Sequence, residues 1–377
     1  MLVAHIAPIF ATVPPAGYGG VERVIEELTA VQMDACDGVD VIVLASVDSR
    51  PTAPMAGRFA SIRSRRSPLG LEAVFEELRR HYLWAFEEAS RRGADVVHLH
   101  GPWGLEYRPA GLGLPAMASI YDDTSRPDVS QPLLTTPEGV YLVANSESTR
   151  RKAPRVPWFS TVLEGVLVDR YPMAQERGGY CCFVGELIPD KGLDIAIAVA
   201  RAAEVPLKVI GRPRMLDLPA AVVDEQQRYL ERVLYPRVDG RWAEYLGELG
   251  EDRLPVIAAA RALLAPARIE EPFGRVMAEA MACGTPVVTF RRGSAPEIVE
   301  HGVSGFSVDT EAGMVAALRQ ASSLAPDACR AHARRVLSMD RVGSAYADLY
   351  RAVLNGPPHG SASGPESASQ ASLPTAS

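Results

Sequence analysis

The densest run of chemistry-bearing residues is Arg268-Ile-Glu-Glu-Pro-Phe-Gly-Arg-Val-Met-Ala-Glu-Ala-Met-Ala-Cys-Gly-Thr-Pro-Val-Val288. It follows an apolar run at 262–265 and opens a helical pattern. Pro272 suits a first helical position. Gly274 permits close backbone approach. The free N–H groups and positive dipole end from Phe273 through Gly274 and Arg275 to Val276 form an anion site. Glu271 stands just before that end. Glu279 comes eight residues later, about 12 Å along a helix at 1.5 Å per residue. That separation suits two groups of one extended ligand, with an anion between them. Val276, Met277, Ala280 and Met281 make the surroundings of Glu279 apolar, which argues against a merely solvated carboxylate.

Other candidates have plainer readings. His98 and His100 are two apart and share one face of a strand. They form a metal pair or they pack, and packing or a strand end facing a cleft is the expectation. Asp122-Asp123 has the look of an acidic metal motif in the wrong setting, so no metal is expected there. Arg63, Arg65 and Arg66 read as a solvated loop, with an anion-binding lip or an anionic membrane contact as the sharper alternative. Trp84 and Trp103 stack on a sugar or aglycone, or pack in the core; both stay open. Cys36, Cys181, Cys182, Cys283 and Cys329 contain no CxxC pair, so buried core thiols are expected and a structural zinc site has no support.

Regular elements must hold these residues. Apolar runs at 2–7, 39–45, 95–100, 116–121 and 140–144 alternate with helical patterns, one of them over 74–89. Continuous apolar strands separated by helices predict a parallel sheet covered on both faces. The pattern restarts near Gly179, with strands at 180–184, 207–210, 243–246, 262–265 and 285–290 and helices at 193–203 and 224–234. Two doubly wound α/β units result, linked near 171–178. A last helix is predicted over 342–354. Residues 356–377 are mostly Gly, Pro, Ser and Ala, a composition that predicts a disordered tail. In such sheets ligands bind at the carboxyl ends of the strands, which places the site in the cleft between the units.

The chain has 377 residues and a formal net charge of −7, so a global attraction to nucleic acid is not expected. No run of 18 apolar residues occurs, which excludes a spanning helix. The first residues read as a strand and not as a signal peptide, so a cytoplasmic location is expected.

The 268–288 segment closely resembles the E-P-F-G-x4-E-A-M-A-x-G-T-P-V-V signature of retaining glycosyltransferase family 4, which has the GT-B fold. Three more stretches agree in order and spacing. Pro14-Pro-Ala-Gly-Tyr-Gly-Gly-Val-Glu-Arg23 resembles the family's glycine loop. Phe183-Val-Gly-Glu-Leu-Ile-Pro-Asp-Lys-Gly192 resembles its phosphate loop. Phe290-Arg-Arg-Gly-Ser-Ala-Pro-Glu-Ile-Val-Glu-His-Gly-Val-Ser-Gly-Phe306 resembles its next stretch. The resemblance spans about residues 1–355. It implies that Glu279 accepts from two ribose hydroxyls of a nucleotide-diphosphate sugar and that Glu271 touches the transferred sugar. Phe273, Gly274 and Arg275 would supply backbone donors, and Lys191 would neutralise the leaving diphosphate. Gly19 and Gly20 would reach the β-phosphate from the other domain. Gly247, Glu248 and Leu249 would border the base. Lys191, Glu271 and Gly20 are then the catalytic set. No metal or other cofactor is implied, the nucleotide sugar being a co-substrate.

Three departures from the family stand around the cleft. Glu186 takes the place of an arginine in the phosphate loop. A carboxylate there turns away, binds a cationic substrate such as an amino sugar, or impairs donor binding. Tyr121 replaces a histidine that lies near the sugar, and Glu164-Gly165 replaces Asn-Gly or His-Gly. Tyr121, Asp122, His100 and Glu164 are the expected acceptor side. The expected organisation is an acceptor domain over 1–172, completed by a crossover helix at 340–355, and a donor domain over 173–338. The expected reaction is hexosyl transfer to an acceptor hydroxyl of a small molecule or glycan, with peripheral membrane contact at most. The rival is a non-catalytic relative that binds a ligand or partner. A nicotinamide dehydrogenase would want GxGxxG after the first strand, and Ala16-Gly-Tyr-Gly-Gly20 lacks that spacing.

Overall fold

The computed structural model describes residues 1–17, 19–64, 70–109, 111–212 and 220–356. The expected tail beyond 356, together with Arg65 and Arg66, lies outside the described residues, as does the side chain of Arg63.

The first layer is a seven-stranded parallel sheet. Its strands are β1 (Leu2–Ile6), β2 (Asp40–Ala45), β3 (Met55–Gly57), β4 (Val96–His100), β5 (Ala116–Ile120), β6 (Val140–Ala144) and β7 (Trp158–Thr161). The second is a six-stranded parallel sheet of β8 (Cys181–Val184), β9 (Leu207–Ile210), β10 (Ala243–Tyr245), β11 (Leu263–Ala265), β12 (Val287–Phe290) and β13 (Gly305–Val308). Their orders are β3-β2-β1-β4-β5-β6-β7 and β10-β9-β8-β11-β12-β13. Chain order therefore reverses between β1 and β4 and again between β8 and β11. Ligands of open α/β sheets bind at such reversals, outside the carboxyl ends of the strands. Here those ends lead into the glycine loop, the phosphate loop and the 266–274 loop.

Each sheet is buried on both faces, as its apolar strands require. The edge strands β3, β7 and β13 are short and only partly buried, and no continuous apolar run announces them. The helix expected over 224–234 begins earlier, as Ala220–Val233. Val166, Val168 and Tyr171 pack in one core with Cys182 and Leu263 of the second sheet.

The final helix, Met339–Leu354, starts three residues before the predicted one, because Ser338 caps it by accepting from the Arg341 N–H. It returns to the first layer and packs against the helix Gly20–Ala35 in one core. Gly343 permits this approach, since a Cβ there would lie 2.7 Å from Val31 Cγ1.

Polar bonds fasten the returning helix as well. Tyr350 Oη lies 2.6 Å from His98 Nδ1, and Tyr346 Oη lies 2.5 Å from Ser119 Oγ. Ser119 Oγ is also 2.7 Å from His98 Nε2. His5 bridges His100 and Gln32 at 3.0 and 2.8 Å. His100 Nδ1 completes the chain to Tyr121 Oη at 3.0 Å. Burial pushes His5 down to about 4 and holds His98 and His100 well below the usual imidazole range. His81, bonded to the Ala7 carbonyl, is also lowered to about 4 by burial. These four bind protons in the unfolded chain below about pH 6.5 and not in the folded one. Each depressed pKa therefore contributes stability that is complete above about pH 6.5. It is lost as pH falls toward 4, by up to roughly 1.4 kcal/mol per pH unit per group. Glu164, raised to about 7 by burial, works in the opposite sense and offsets one of the four. Denaturant titration is expected to give a lower midpoint at pH 5 than at pH 7. Equal midpoints would show that the histidines are not neutral in the folded chain.

Candidate active site

A cleft runs between the layers. One wall carries Gly17, Gly19, Gly20 and Arg23 of the first layer. The other carries Lys191, Glu271, Gly274, Arg275 and Glu279 of the second.

The phosphate loop ends in a short 3-10 turn, Pro189–Lys191, followed by Gly192 at φ 72°. A Cβ on Gly192 would lie 2.1 Å from the Pro266 carbonyl oxygen, so only glycine lets these two loops touch. Lys191 Nζ is thereby placed in an ion pair with Glu271 Oε1. Gly274, in the left-handed region at φ 77°, precedes the helix Arg275–Ala282 and lines the cleft. Glu271 is fixed through its backbone: its carbonyl accepts from the Ser294 N–H at 3.0 Å. A Cβ on Gly293 would come within 2.6 Å of that same oxygen.

Glu279 is buried on the inner face of this helix. Arg253 holds it with two bonds, Nη2 to Oε1 at 2.8 Å and Nε to Oε2 at 3.2 Å, and Arg275 Nε lies 3.5 Å from Oε1. This two-pronged pair fixes the plane of the carboxylate, and oxygen lone pairs remain for further donors. Arg275 also bridges the layers. It pairs with Glu27 of the first helix and reaches Glu164 Oε1 at 3.4 Å and the Gly165 carbonyl at 3.2 Å. Glu297 accepts from the Glu147 and Ser148 N–H groups, both at 2.8 Å, as a second tie between layers.

The structure draws most of the expected donor set together: Gly19, Gly20, Lys191, Glu248, Leu249, Glu271, Gly274, Arg275 and Glu279 all line the cleft. Glu186, Gly247 and Phe273 do not. Glu186 is buried beside the loop. Gly247 serves as a turn at φ 78°, its carbonyl accepting from the Gly211 N–H at 2.9 Å. Phe273 puts its ring in the second layer's core. The expected acceptor residues sit apart from the lining. Tyr121 and His100 bond each other within the buried histidine chain. Asp122 is half-buried at the end of β5, its carboxyl raised by burial. Glu164 lies under Arg275.

Arg253 and Arg212 line the cleft and were not anticipated; Arg23 and Arg292 stood only within the glycine loop and the 290–306 stretch. No spacing signals Arg253, whose partner Glu279 is 26 residues away. His98 resolves toward packing. The ligand atoms of His5, His98 and His100 lie within 4.8 Å of one another, the closeness of a metal triad. All six ring nitrogens, however, are committed to protein partners. Trp84 packs edge-on against Phe59, whereas Trp103 is exposed. Of the cysteines, Cys181, Cys182, Cys283 and Cys329 are buried.

Residues 178–323 match the family Glycosyl transferases group 1. The two-sheet architecture extends the likeness to nearly the whole chain. AviGT4, a glycosyltransferase involved in avilamycin A biosynthesis, superposes with a TM-score of 0.68 at 25% identity, covering 94% of this chain and 98% of that one. The chain has the GT-B fold, and its residues 178–323 are similar to the group 1 glycosyltransferases. D-inositol 3-phosphate glycosyltransferase of Salinispora tropica is 31% identical over 213 residues, 49% of this chain and 40% of that protein. Alpha-maltose-1-phosphate synthase of Mycobacterium tuberculosis is 28% identical over 233 residues, 58% of each chain. The chain thus matches about half the length of these curated relatives. Among the described residues no helix is long and apolar enough to cross a membrane.

Proposed function

We propose that this GT-B protein transfers a hexosyl group from a nucleotide-diphosphate sugar to an acceptor hydroxyl, with retained anomeric configuration. The observation that carries the reading is one wall of the cleft, where the Lys191–Glu271 pair, the helix start at Gly274 and the Arg253-held Glu279 follow one another. Glu279 takes the ribose hydroxyls. Gly274 and Arg275 offer backbone N–H groups to the phosphates, and Lys191 faces the charge that grows as the diphosphate departs. Glu271 takes hydroxyls of the sugar. Gly19 and Gly20 close over the β-phosphate from the first layer. The leaving phosphate takes the acceptor proton, so no side-chain base is required. The chain's own cations supply the neutralising charge, and catalysis is positioning plus charge stabilisation.

The acceptor enters from the first layer, at the ends of β4 and β5, where Asp122 and Tyr121 stand. Glu186, one of the departures that motivated a non-catalytic role, is buried and is not among the described residues lining the cleft, which supports the catalytic reading. Titration of the chain with nucleoside diphosphates tests the reading. One of them is expected to bind, and the anomeric configuration of the product then reads retention.

A further inference from the structure

The ionic pairing inside the cleft does not close. Among the described residues six cations line it: Arg23, Lys191, Arg212, Arg253, Arg275 and Arg292. The described lining carboxylates are Glu248, Glu271 and Glu279. Arg212 lies 3.3 Å from Glu248, Lys191 pairs with Glu271, and Arg253 holds Glu279. Arg275 is taken up by Glu27 and Glu164 from behind the wall. Arg23 and Arg292 are left over. Among the described residues no carboxylate lies within 4.0 Å of either. Arg292 donates to the Arg268 carbonyl at 3.1 Å and lies over the Phe290 ring. Arg23 donates to one carbonyl, that of Gly17, at 2.8 Å.

Arg23 is the more telling of the two. It is the fourth residue of the helix that begins at Gly20, and its guanidinium folds back on the glycine loop. It is only partly solvated, and burial together with the neighbouring Arg253 and Arg275 guanidiniums depresses its pKa, against a smaller pull from Glu279. An arginine stays charged in such a place, so the cleft keeps a cation with no carboxylate of the described residues at ion-pair distance. A site with surplus guanidinium on one wall and a lysine with free helix N–H groups on the other is complementary to a compact dianion. Resting on the function proposed above, we infer that Arg23 grips the donor's diphosphate from the first layer. It thereby supplies the charge that the phosphate loop lacks at Glu186. The glycine loop then contributes a side chain as well as backbone N–H groups, and donor binding draws the two layers together.

The test compares a nucleoside diphosphate with its monophosphate, in the base that the native chain binds. Arg23→Gln removes the charge and leaves an amide to donate to the Gly17 carbonyl; Arg23→Lys keeps the charge. Arg23→Gln is expected to bind the diphosphate ten- to a hundredfold more weakly while its monophosphate affinity stays within about threefold. Arg23→Lys is expected to recover part of the diphosphate preference. A general disturbance of the loop would weaken both nucleotides alike. An unchanged ratio of the two affinities in folded Arg23→Gln protein overturns the assignment and leaves the donor reading intact. A native chain that binds no nucleoside diphosphate overturns the donor reading itself, and the role of Arg23 with it.

Discussion

Lys191→Ala is expected to lower turnover by about a hundred- to a thousandfold, the usual cost of removing one preorganised group from a developing negative charge. The fold should survive. Lys191 ends a short turn at the cleft surface, and its side chain is 23% exposed. The backbone there is set by Gly192, whose close approach to Pro266 the substitution does not touch. The variant does leave Glu271 without its cation. A modest fall in melting temperature should therefore accompany the loss of rate. The measurement is turnover with the best donor, beside a thermal melt. Full activity in a folded variant would mean that the phosphates lie elsewhere.

Glu279→Ala should have two effects. The first is on the ligand: two charge-assisted bonds to the ribose disappear, and nucleotide affinity should fall by roughly ten- to a hundredfold or more. The second is on the protein. The Arg253–Glu279 pair is almost wholly buried, with side-chain exposures of 8% and 5%. Removing one partner of such a pair costs about 3–5 kcal/mol, because the other charge stays buried. The nucleotide itself separates the two effects. If Glu279 reads the ribose, the native chain prefers a ribonucleoside diphosphate over its 2′-deoxy form, and folded Glu279→Gln loses that preference. Unchanged affinity and unchanged preference would remove Glu279 from the ribose site, whatever happens to stability.

Both results depend on how local the information in the chain is. The central strands are legible because a strand buried on both faces must be largely apolar, and 41–45 and 140–144 are. The edge strands β3 and β7 carry no such constraint. Their identity comes from pairing with β2 and β6, which a linear reading does not show. The same division runs through the site. Glu271, Gly274 and Glu279 share one loop and helix, so spacing alone predicts their arrangement. Arg253 and Glu279 stand on separate helices, Arg253–Ala258 and Arg275–Ala282, and only the tertiary fold brings them together. Arg275 meets Glu27 across 248 residues of chain. Glu186 stays open in a linear reading: a carboxylate in the phosphate loop turns away, binds a cationic substrate or impairs donor binding, because a one-dimensional register cannot say which way a side chain turns, and the structure buries it.

The central claim is that the cleft is a donor site. The most direct measurement is calorimetric titration of the purified chain with UDP, GDP, dTDP and ADP. The account predicts one-to-one, micromolar binding of one of the four, weakened by Lys191→Ala and by Glu279→Gln. No heat and no protection against unfolding from any of them, in a chain shown to be folded, would contradict it. Arg23, Lys191 and Glu279 would then be charges assembled for some other ligand.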